Sequence, residues 1–211
     1  MPEVIFFSRM SPTCHLLVTA PVDAEFNEKK SNRGPQGFPG TATMMTEKGL
    51  SAELRSATAE LAAASGGKRL LHLALDAVQT ADPAELRSAS AYSAPVSAAM
   101  LLTLLTCCYA RGLYDSRDIV TAAAYDPMIR YLCKGTQLRW ETLRNFRRRH
   151  RSLLLHCLAW VLNQAWTLKR DESQLRSRGY EWFERQFDSF ITHEAIARVE
   201  VAASLDSAAG D

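Results

Sequence analysis

Residues 142–170 contain no proline, no glycine and no carboxylate. Such a run constrains a chain strongly, because nothing in it stops a helix or places a turn. Within it Leu143, Phe146, His150, Leu153, Cys157 and Val161 recur at steps of three and four, which puts them on one helix face. The spacing predicts one continuous helix, roughly 40 Å long at about 1.5 Å per residue. Its apolar stripe needs partners, and composition says what they are. Ala and Leu supply 56 residues whereas Val and Ile supply 14, a balance that favours helices over strands. The expected fold class is all-α: a helical bundle.

The other elements follow the same period. Leu50, Leu54, Ala57 and Leu61 mark a first helix, ended by Gly66-Gly67. Leu70, Leu73, Ala74, Ala77 and Val78 mark a second over 68–80. Asp82-Pro83 starts a third, with proline just inside a cap. Pro95 opens an apolar helix that runs to Ala110 and stops near Gly112. Asp115-Ser116 caps a short helix over 117–124, and Asp126-Pro127 starts another over 128–133, closed by Lys134-Gly135. A final amphipathic helix is expected over 171–205, with Leu175, Trp182, Phe183, Phe187, Phe190, Ile191 and Val199 inward and a bend at Gly179. It forms a long helical hairpin with the helix before it. The last six residues read as frayed. Residues 1–45 hold five of the eight prolines and read as a weakly ordered leader with a short strand at 15–20. A start at Met44 or Met45 fits the pattern equally well.

Several functional classes are excluded. The five cysteines include no CxxC pair, which removes zinc ribbons and thioredoxin-type sites and fits a reducing cytoplasm. Residues 88–110 are uncharged, yet only 100–110 is densely apolar, too short for a membrane span of about 20 residues. Ser65-Gly-Gly-Lys68 lacks the first glycine and the hydroxyl of a phosphate-binding loop, and His193-Glu194 lacks the second histidine of a zincin helix. His150, on an apolar stripe, reads as a core residue, and Cys107-Cys108 reads as helix interior. No cofactor, metal site or enzyme is indicated.

Charge is where the chain departs from an ordinary helical domain. Residues 128–151 hold eight cations (Arg130, Lys134, Arg139, Arg144, Arg147, Arg148, Arg149, Arg151) against the single acid Glu141. That segment carries +7 in a chain whose total is +2, so the remainder carries −5. At about 100° per residue, Arg144, Arg148 and Arg151 share the face opposite the stripe. Asn145 and Arg149 lie further round, and Arg147 sits at the seam. Solvated surface helices usually interleave acids one turn away. None occurs between Glu141 and Asp171, which points to a polyanionic partner. Trp140 and Phe146, both expected in the core, leave few aromatics beside the cations. Duplex groove binding is therefore favoured over base stacking on single strands.

These segments also resemble a known family. The matching pieces are Tyr109 with Gly112 at the end of the apolar helix, Ser116-Arg117 with Ile119, Tyr131-Leu132, and Thr142 with Phe146-Arg-Arg-Arg-His150. Their order and spacing resemble the N-terminal domain of DDE-superfamily insertion-sequence transposases, over residues 95–160. The resemblance implies a helix-turn-helix-like unit that binds terminal inverted repeats during transposition. It also implies a following RNase H-like domain, whose Asp, Asp and Glu hold two metals for DNA recombination. No Val/Ile-rich strand bearing such an acid follows Arg170. The expectation is thus a non-catalytic, transposase-derived protein that binds double-stranded DNA. In it the 142–151 helix reads the groove, and Arg117 and Lys134 meet backbone phosphates. Arg144, Arg148, Arg149 and Arg151 add phosphate affinity, Gln137, Thr142 and Asn145 touch base edges, and Arg139 belongs to the same DNA-binding set. Two alternatives remain: a helical interaction module, dimerising through its last helices, or the DNA-binding half of a split transposase completed by a separate catalytic subunit.

Overall fold

The helix Ala98–Ala110 is buried on every side from Leu101 onward, including its two threonines and both cysteines. A helix apolar all round lies at the centre of a bundle, and the other elements are arranged about it. The computed structural model describes residues 47–92, 96–172 and 180–208. In chain order these form α1 (Glu47–Ala63), a 3₁₀ turn (Ala64–Gly67), α2 (Lys68–Thr80), α3 (Pro83–Tyr92), α4 (Ala98–Ala110), α5 (Ser116–Tyr125), α6 (Pro127–Cys133), α7 (Trp140–Arg149), α8 (Arg151–Glu172) and α9 (Tyr180–Ala208). The described chain is all-α. The expected leader over 1–45 with its strand, Pro95 and the Gly179 bend lie outside the described residues, as do the side chains of Leu175, Trp182 and Phe183.

Central α4 packs against α1, α2, α3, α6, α7 and α8, while α8 packs against α1, α2, α4, α7 and α9. The period-3.6 stripes are the packing faces. Leu50, Leu54, Ala57 and Leu61 of α1 are all buried, as are Leu70, Ala74, Ala77 and Val78 of α2. Between these helices Gly66 and Gly67 adopt positive φ, and a Cβ on Gly67 would lie 3.1 Å from Met128 Sδ. Ser65-Gly-Gly-Lys68 is therefore a helix-to-helix turn. Cys107, Cys108, Cys133 and Cys157 are buried free thiols, and burial pushes Cys107 up to about 12. Phe187 is buried against Trp166, with ring centroids 5.2 Å apart, and Phe190 packs beside it. No described helix is long and apolar enough to cross a membrane.

Three expectations need correction. The continuous helix over 142–170 is two helices, α7 and α8, because His150 leaves helical geometry at φ −120° and ψ 40°. The stripe survives the break: Leu143, Phe146, Leu153, Cys157 and Val161 are buried, while His150 is half-buried with its ring 4.9 Å from Phe146. Asp171 and Glu172 close α8 rather than open the last helix. The chain end is not frayed from residue 206 either. Helix α9 runs to Ala208, and Asp206 is buried.

Candidate nucleic-acid interface

Two aspartates build the α5–α6 corner. Asp115 accepts hydrogen bonds from the backbone N–H of Arg117 and Asp118, and Asp126 accepts from Met128 and Ile129 with Pro127 at the first helical position. Arg111 pairs with Asp126 at 2.7 Å. Burial opposes the Asp126 charge, yet this bond and the two backbone N–H groups hold its carboxyl below the usual aspartate value. Lys134 ends α6 at φ 47°, followed by Gly135 at φ 75°. Helix α5 packs against both α6 and α7.

Helix α7 has two chemically distinct sides. Leu143, Phe146 and Arg147 are buried, whereas Glu141, Asn145, Arg148 and Arg149 are exposed, with Thr142 and Arg144 half-buried. Asn145, Arg148 and Arg149 line one surface depression. At the start of the helix the Arg117 guanidinium lies over the Trp140 ring, 5.1 Å from its centroid. Trp140 is thus half-buried beneath a cation rather than a core residue. Gln137 and Arg139 are exposed in the connection between α6 and α7, as is Lys134 at its start. Arg117, Arg144, Asn145, Arg148 and Arg149 are therefore carried by two helices in contact.

Arg151 is carried by the next helix and is exposed. It opens α8 beyond the His150 break and forms an exposed ion pair with Glu200 at 3.2 Å. The shared face projected for Arg144, Arg148 and Arg151 assumed an unbroken helix, and the break removes that premise.

Arg147 carries the structural role that sequence reasoning missed. It is 2 % exposed and pairs with Asp206 of α9, itself 5 % exposed. Its Nη1 donates to the Tyr109 hydroxyl and to the Tyr114 carbonyl, and its Nη2 donates to Ser116 Oγ at 3.2 Å. Asp206 also accepts from Ser116 N at 3.3 Å and Ser116 Oγ at 3.1 Å, placing a carboxylate at the N-terminus of α5. Further back on that side of α9, Arg198 donates to the Tyr109 and Ala110 carbonyls at the end of α4 and to Glu194. Helix α9 therefore clamps the end of α4, the start of α5 and the inner side of α7 through buried charges. The sequence holds a signal for this: Arg147 follows Leu143 by four residues, the step that returns to the apolar face.

Among the described residues no group of three metal-ligating side chains converges. No protein-family model, curated protein or solved structure matches this chain.

Proposed function

We propose that this protein is a non-catalytic, transposase-like binder of double-stranded DNA that docks the outer side of α7 on the duplex. One observation carries the reading: past Glu141, every charged side chain on the outer side of α7 is an arginine, and buried bonds from Arg147 tie the inner side to the bundle. Arg144, Arg148 and Arg149 flank Asn145, and the buried Arg147–Asp206 pair fixes the helix that presents them. Guanidinium groups on a fixed helix suit phosphate oxygens, and an amide among them suits a base edge. Arg117, Lys134, Gln137 and Arg139 extend the surface from the N-terminal end of α7. The sequence resemblance over 95–160 supports the same reading, with terminal-repeat-like sites as the targets. The acids of the corner support a non-catalytic role, since Asp115, Asp126 and Asp206 serve as caps and ion-pair partners.

The test is equilibrium binding of a labelled duplex followed by fluorescence anisotropy from low to physiological salt. The reading expects tight binding at low salt and a linear fall of log affinity with log salt. Absence of binding at low salt would remove it.

A further inference from the structure

The two most exposed large apolar side chains among the described residues are aromatic, Tyr125 at 81 % and Tyr131 at 68 %. Both lie on the two helices of the capped corner. Arg117, Thr121 and Tyr125 are each exposed at steps of four along α5, so they form one outward stripe. On α6 Tyr131 follows exposed Arg130 and precedes exposed Lys134 by one turn. The acids of this corner are exposed Asp118 and half-buried Asp115 and Asp126; Asp115 caps α5, and Asp126 is held by Arg111 and the start of α6. Tyr131 is thus flanked by two cations and Tyr125 ends the stripe that Arg117 begins two turns earlier, with no other large apolar side chain exposed on either helix. A protein-docking patch needs contiguous apolar surface, whereas isolated aromatic faces between cations are what an unpaired nucleic-acid strand requires.

We propose that the outer side of α5 and α6 takes an unpaired strand adjoining the duplex held by α7, with Tyr125 and Tyr131 as stacking platforms and Arg117, Arg130 and Lys134 on the strand's phosphates. The inference rests on the duplex-binding reading and specifies its substrate: a duplex with a single-stranded extension or a locally opened end. Duplex without unpaired bases engages the α7 arginines together with Arg117 and Lys134, where the two surfaces meet. The unpaired bases add stacking that a blunt end cannot offer, because its bases remain stacked on one another.

The test compares a blunt duplex with the same duplex carrying an eight-nucleotide thymidine overhang, by anisotropy at one salt concentration. Stacking on one ring is worth about tenfold in affinity. The wild-type chain should therefore bind the overhang duplex at least about tenfold more tightly than the blunt one. Tyr125→Ala with Tyr131→Ala should abolish that preference and leave blunt-duplex affinity unchanged. Tyr131→Phe, which keeps the ring, should retain it. Both tyrosines are exposed, so the variants should keep the wild-type melting transition. Equal affinity for both probes in the wild type overturns this inference while leaving the duplex reading intact. Equal weakening on both probes in the double variant also overturns it, by making the tyrosines general DNA-binding groups. Binding to neither probe overturns both readings, and a stable complex with another protein, abolished in the double variant without any effect on DNA, makes the surface a protein-docking site.

Discussion

Arg147→Ala and Arg148→Ala replace adjacent residues of one helix with opposite expected consequences. Arg147→Ala removes the partner of a carboxylate that is 5 % exposed, together with bonds to Tyr109, Tyr114 and Ser116. Asp206 then keeps only the N–H and hydroxyl of Ser116 against its buried charge. Breaking a buried pair from one side typically costs about 3–5 kcal/mol. For a chain of this size that is a fall of roughly 6–20 °C in the melting midpoint, at about 2–4 °C per kcal/mol. Asp206→Ala should cost a similar amount. The double variant should cost far less than the sum, because neither charge is then left alone. Arg148, exposed on the other side, should change stability by no more than about 0.5 kcal/mol when replaced. In binding the order reverses: Arg148→Ala should flatten the plot of log affinity against log salt by about 0.9, whereas Arg147→Ala should leave that slope unchanged in the folded protein. Denaturant melts and anisotropy at four salt concentrations measure both effects. A cost below about 1 kcal/mol for Arg147→Ala would refute the assignment of this pair as the lock on α7.

Three further outcomes follow from the same geometry. Phe146→Ala should cost about 3–5 kcal/mol, because the ring is buried, and any fall in binding should track the unfolded fraction in a melt. Asp126→Asn should destabilise at neutral pH. The folded carboxyl titrates below the ordinary aspartate value, so its contribution is present above that range and is lost as pH falls through the lowered folded value, where the two proteins' melting midpoints should converge. Lys134→Gly should leave stability within about 0.5 kcal/mol, since relief of the left-handed backbone offsets the added chain entropy of glycine, yet should reduce the salt slope by about 0.9.

Local chemistry made the capped corner legible in the sequence. Asp115, Asp126-Pro127 and Gly66-Gly67 mark boundaries that the structure shows within a residue or two, because a cap or a positive φ is decided by the residues at that point. The break at His150 has no such mark. No proline, glycine or carboxylate signals it, and the stripe stays buried on both sides of a half-buried His150. Across the break the partners change in part: α7 lies on α5 and α8 on α1 and α2, while both meet α4 and α9. Asp171 and Glu172 misled because carboxylates are unfavourable at a helix C-terminus, which made them read as a helix start, yet α8 runs through them. Arg147 was legible as a seam position, but not as a buried ion. Periodicity states which residues turn inward and is silent on which acid, 59 positions later, meets them. Of the residues proposed to meet DNA, Arg144, Asn145, Arg148 and Arg149 share the outer side of α7 as the sequence suggested. The common face projected for Arg151 does not carry over, because α7 ends two residues before it.

The most direct measurement is the salt dependence of duplex binding by Arg144→Ala/Arg148→Ala/Arg149→Ala. Removing three phosphate-binding guanidinium groups together should flatten the log–log slope by about 2.7 and weaken binding to every sequence, while the circular-dichroism spectrum and melting midpoint stay at wild-type values. A folded triple variant that binds duplex as tightly as wild type at each salt concentration would contradict the account.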